Sequence, residues 1–113
     1  MASLFQVLPE LVGDIENALI RIGRGDIADQ LREVELERWT YDDFANVVNL
    51  YLKSPRTLNV VDQRNVGLRR GETLCPSDDI AVNLELDNQR RLIAIELLDA
   101  GSTVAKLEKF IAV

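Results

Sequence analysis

The stretch DDIAVNLELDNQRRLIAIELLDAG, residues Asp78 to Gly101, decides the fold. Ile80, Val82, Leu84 and Leu86 alternate with Ala81, Asn83, Glu85 and Asp87. A period of two belongs to a strand with one side on a core. The Asn83, Glu85, Asp87 side is expected to meet water. Asp87-Asn88-Gln89-Arg90 supplies turn residues, because Asn and Asp tolerate left-handed backbone angles. Arg91 to Leu98 follows, with Ile93, Ile95 and Leu97 on one side and Leu92, Ala94, Glu96 and Leu98 on the other. Both sides are largely apolar, which predicts a central strand covered on both faces. Periodicity alone leaves a helix open here. The β-rich neighbour and short connection favour a hairpin, closed by the small residues Ala100 and Gly101.

Upstream, Leu8, Leu11, Val12, Ile15, Leu19 and Ile22 recur at helical spacing after a start at Pro9. Gly23-Arg24-Gly25 stops that helix. Asp26 is expected to cap a second short helix with Ile27, Ala28, Leu31 and Val34 on one face. Together, residues 1–34 read as a helical pair. Glu35 to Tyr41 turns β-like, Asp42 to Asn46 forms a turn, and Val47 to Leu52 is a strand with Val48, Leu50 and Leu52 inward. Thr57 to Asp62 suits a short strand with an exposed edge. Gln63 to Gly71 reads as a loop, and Glu72 to Cys75 as a further strand ended by Pro76. Ser102 is expected to cap a last helix with Val104, Leu107, Phe110 and Ile111 on its apolar side. The class is α+β: an N-terminal helical hairpin, an antiparallel meander of four to five strands over residues 35–101, and a C-terminal helix over 102–113. A chain of 113 residues suits one domain.

Composition narrows the chemistry. There is no histidine, which removes the commonest general base and zinc ligand and every Ser-His or Cys-His nucleophile pair. Cys75 is the single cysteine, so no internal disulfide forms, as suits a reducing compartment. No apolar run reaches the ~18 residues of a membrane span. The opening MASLFQVLPEL lacks a basic segment before a long apolar run, so a cytoplasmic protein is expected, with no membrane partner. The net charge is −6, which argues against nucleic acid as a default partner. Its distribution is uneven. Lys53, Arg56, Arg64, Arg69 and Arg70, against Asp62 alone, give residues 53–71 a net of +4 and leave −10 for the rest. These five cations are the candidate partner-binding residues.

Other motifs have plainer readings. Gly23-Arg24-Gly25-Asp26-Ile27-Ala28 has Gly-x-Gly-x-x-Ala spacing, but a dinucleotide site needs a strand before it. Cys75-Pro76 reads as a packed strand end rather than a reactive thiol. Asp42-Asp43, Asp78-Asp79 and Asp99 fall at turns, where Asp bonds its own backbone. If gathered, they could bind a metal or act as an acid/base pair. The basic segment has no interleaved aromatics for stacking on RNA. No catalytic residue, metal ligand or cofactor motif stands out.

Trp39-Thr40-Tyr41-Asp42, Asn46 to Leu52, Glu72-Thr73, Asp78 to Val82, Asp87, and Leu92 to Ala100 together resemble the YuzE-like family of small bacterial proteins, domain of unknown function 2283. The resemblance covers roughly residues 38–101. Ala94 stands where that family commonly has glycine, residues 55–70 look inserted, and the helical pair is an addition. The resemblance implies a small antiparallel sheet with a helix and no established activity. It makes an antitoxin-like role conceivable. The expected function is a non-enzymatic interaction module, with a protein partner or a second copy of itself. The alternatives are a carboxylate-based small-ligand or metal enzyme and, more weakly, a nucleic-acid binder acting through residues 53–70.

Overall fold

A computed structural model describes residues 3–53 and 70–111, with Arg70, Phe110 and Ile111 described by backbone alone. Among these described residues, four helices and five strands follow in the order α1 (Leu4–Val7), α2 (Pro9–Arg21), α3 (Gly25–Leu31), β1 (Glu35–Asp42), β2 (Val47–Lys53), β3 (Arg70–Leu74), β4 (Val82–Asp87), β5 (Leu92–Leu98) and α4 (Gly101–Ile111). The chain is α+β, with an entirely antiparallel sheet. Among the described residues, no helix is long and apolar enough to cross a membrane. The expected strand at Thr57 to Asp62 lies outside the described residues, as does most of the expected loop from Gln63. The end of that loop is instead strand, since β3 begins at Arg70.

The strand order is β1-β2-β5-β4-β3. Each half is a meander, β1-β2 and β3-β4-β5, but the two halves join through β2 and β5 rather than in chain order. The reason is in β5. Its strongly apolar sequence takes the centre, and the more polar β1 and β3 fall to the edges. Val48, Leu50 and Leu52 of β2, Val82, Leu84 and Leu86 of β4, and Leu92, Ile95 and Leu97 of β5 are all buried. All four helices add side chains to this one cluster, from Leu4 and Val7 through Val12, Ile15, Leu19, Ile27 and Leu31 to Leu107. The helical pair therefore packs on its own sheet.

Three departures have local causes. Leu92 lies on the core side with Ile95, not opposite it as alternation predicts. Ala94 faces Glu85 and Leu86 faces Leu92, so Ile93 is an extra residue that reverses the phase. The other side of β5 is not buried: Ala94 and Glu96 are half-buried and Leu98 is exposed. Asp87, expected to face water, is 2% exposed. Its carboxylate accepts from the Gln89 and Arg91 amides at 2.9 and 2.8 Å and from Arg91 Nε at 2.7 Å. Gln30 of α3 closes the same knot, donating to the Arg90 carbonyl at 2.9 Å and accepting from the Leu92 amide at 2.8 Å.

The helix ends also differ in detail. Ser3 and Gln6 form a capping box that opens α1, a helix not expected from the sequence. Asp26 lies inside the first turn of α3, where Arg24 holds the cap position without a side-chain bond. Its carboxylate is 3.5 Å from Arg24 Nε. Ser102 likewise lies inside α4, which begins at Gly101. Gly23 stops α2 at φ 78°, a left-handed angle that suits glycine.

Candidate interaction surface

The β1–β2 turn carries an aromatic side chain fully into solvent. Phe44 is 98% exposed. Its backbone is fixed from several directions. Asp42 Oδ1 accepts from the Phe44 and Ala45 amides, both at 3.1 Å. Asn46 closes the turn at φ 57°, an angle Asn tolerates. Asn46 Nδ2 donates to Asp99 Oδ1 at 2.7 Å, and Tyr41 Oη donates to Asn46 Oδ1 at 3.1 Å. The Ala100 amide reaches the Asn46 carbonyl at 3.1 Å. Gly101 follows because a Cβ there would come 3.0 Å from Asn46 Oδ1. The turn is thus tied to the start of α4.

Carboxylates surround this end of the sheet. Val47 pairs with Leu98, and the Leu98 amide bonds the Ala81 carbonyl. Asp42, Asp43, Asp99 and the Asp78-Asp79 turn therefore lie at the same end. Asp42 bonds its own turn backbone, as the turn reading expects, whereas Asp99 accepts from the Asn46 side chain and the Asp79 amide donates to Ser77 Oγ at 3.1 Å. Among the described residues, no three His, Cys, Asp or Glu side chains gather closely enough to hold a metal ion. Two further apolar side chains show here, Tyr41 at 38% and Leu98 at 40% exposed.

The opposite end carries cations beside acids. Lys53 pairs with Glu35, and Arg70 with Asp87. This places exposed Lys53, the start of β3 and the Arg90-Arg91 turn at one end of the sheet. Arg56, Arg64 and Arg69, also named from the sequence, lie outside the described residues, as does the Arg70 side chain. Arg90 was not singled out in the sequence because it lies far along the chain from the basic run. Arg91 commits its guanidinium to Asp87.

The outer face of the sheet is polar. Thr40, Asn49, Glu96 and Asn83 form a row across four strands, and Asn83 Nδ2 donates to Glu96 Oε1 at 2.9 Å. Arg38 stacks 3.9 Å over the Tyr51 ring, and Thr73 Oγ1 donates to Glu85 Oε2 at 2.9 Å. Cys75 is exposed rather than packed, because the neighbouring Pro76 takes the buried place at the strand end. A cleft of about 250 Å³ between the start of α2 and α4 is lined by Val7, Leu8, Pro9, Leu11, Thr103 and Lys106. It is smaller than the ~300–1,000 Å³ usual for ligand sites.

No family model, curated protein or solved structure matches the chain. The site therefore rests on its own geometry: a hydrogen-bonded, acid-rimmed turn bearing an exposed aromatic ring.

Proposed function

We propose that the chain is a non-enzymatic protein-interaction module that binds a cationic protein through the β1–β2 turn. The observation that carries this reading is Phe44, 98% exposed on a turn braced by Asp42, Asn46, Tyr41 and Asp99. An aromatic side chain held in water contributes little to folding. In an interface it fills an apolar pocket at low entropic cost, because its backbone is already ordered. The surrounding carboxylates favour a partner pocket with a basic rim and speed its approach.

The resemblance to the YuzE-like family, an antitoxin-like role and a cytoplasmic setting belong to the same proposal. The quoted segments of that resemblance fall on β1–β2 and on the β3–β5 half of the sheet, which supports it. A basic protein neutralised by this acidic end is the antitoxin-like form of the reading.

Phe44→Ser tests it. The variant is expected to keep the wild-type thermal transition and to lose about tenfold or more in affinity for the native partner, since a central aromatic anchor contributes roughly 2 kcal/mol or more. Unchanged affinity in a folded variant would refute the proposal.

A further inference from the structure

The two sheet edges are not alike. β3 spans Arg70–Leu74, carries a bulge at Gly71 and runs into Cys75-Pro76, devices that blunt an edge. β1 is eight residues long. Its first end is covered: Ser3 bridges Glu35, and the Leu4 amide donates to the Val34 carbonyl. A bulge follows at Glu37. From Arg38 to Asp42, no described strand lies on its outer side. That segment reads Arg-Trp-Thr-Tyr-Asp, rich in good strand formers and free of proline and glycine.

We infer that this edge pairs with itself: two copies of the chain join β1 antiparallel about a two-fold axis at Thr40, making one continuous sheet. A two-fold normal to the sheet sets residues of like parity opposite each other, so that they share a face. Centred on Thr40, Arg38 faces Asp42 of the other copy and Trp39 faces Tyr41, each pair occurring twice. Centring on Trp39 sets Arg38 against Thr40, and centring on Tyr41 sets Thr40 against Asp42. Only the Thr40 register matches opposite charge with opposite charge and ring with ring.

The faces agree. Arg38 lies over Tyr51 on the outer face, where Thr40 and Asp42 also fall. Trp39 packs against the core cluster, so Tyr41, 38% exposed here, would extend that core across the seam. Cross-strand aromatic and opposite-charge pairs both stabilise antiparallel ladders. Exposed ion pairs add little free energy, so Arg38 and Asp42 select the register while main-chain bonds and the rings supply affinity.

The test combines sedimentation equilibrium of the intact chain with cysteine cross-linking in a Cys75→Ser background. A concentration-dependent monomer–dimer equilibrium is expected. Thr40→Cys should oxidise to a covalent dimer about tenfold or more faster than Arg38→Cys or Thr73→Cys, because directly opposed Cα atoms lie within disulfide reach. Arg38 and its copy would sit four residues apart, roughly 13 Å. A monomer up to ~1 mM, or equal oxidation rates at the three positions, overturns the inference. It shares only the hairpin with the reading of Phe44, and the two fail separately. A monomer that still binds a partner through Phe44 removes the dimer alone. A dimer whose Phe44→Ser variant binds as before removes the other alone.

Discussion

Asp87 shows how far a single side chain can depart from its strand pattern. Alternation assigned it to the outer face, yet its carboxylate holds the β4–β5 turn and the Arg91 guanidinium. Nothing near it in sequence announces Gln30, which reaches the same turn from α3. Asp87→Ala leaves a buried guanidinium without its anion and is expected to cost about 3 kcal/mol in urea unfolding. Gln30→Ala should cost about 1–3 kcal/mol for the two main-chain groups it abandons. A loss under about 0.5 kcal/mol for Asp87→Ala would contradict the role given to it. Glu16 and Arg32 make a surface counterpart. Arg32 Nε and Nη2 donate to the Glu16 carboxylate at 2.9 and 3.0 Å. That hydrogen bonding holds the Glu16 pKa below its usual 4.5. A depressed folded pKa means stability that is present above the unfolded value and lost as pH falls through the folded one. Arg32→Gln should therefore return Glu16 to its ordinary range in an NMR titration and flatten this part of the acid limb.

At the scale of elements, most of what periodicity can express was legible. α2, β2 and β4 fall near their expected bounds because each carries a clean helical or two-residue repeat, while β1 and β5 do so on strand-forming composition and short connections. The misses cluster where one residue is inserted or where backbone alone decides. The bulges at Glu37, Gly71 and Ile93 shift the phase without altering composition. α1 is too short to show a period and depends on the Ser3–Gln6 box. Gly71 marks its bulge by necessity, since a Cβ there would run into the Asp87 carbonyl and the Asn88 amide. Gly71→Ala is expected to cost about 1–3 kcal/mol, the range for forcing atoms into a packed site. It should also disturb the amide signals of the Asp87–Arg91 turn. A neutral substitution with an unperturbed turn would contradict the close approach.

Among the described residues, the antiparallel register gathers carboxylates at the β1–β2 turn end of the sheet and sets Lys53 and Arg90 at the other. Lys53 was visible within the basic run, but Arg90, which the β4–β5 hairpin brings to the same end of the sheet, was not. The acidic end was visible as three scattered turns. Only the antiparallel register gathers them, and only the fold shows Phe44 standing clear of the core. A sequence cue did exist: a phenylalanine set among Asp42, Asp43 and Asn46 has only Ala45 as an apolar neighbour in its own turn. The strand order was not legible, since the β2–β5 seam depends on which strand can tolerate burial at the centre.

The interaction reading is tested most directly by placing a photo-reactive phenylalanine analogue at position 44 of the intact chain in its native host. The account predicts one discrete protein adduct from position 44 and none from the same analogue at position 73 on the opposite edge. No adduct at position 44, or the same background of adducts from both positions, would contradict it.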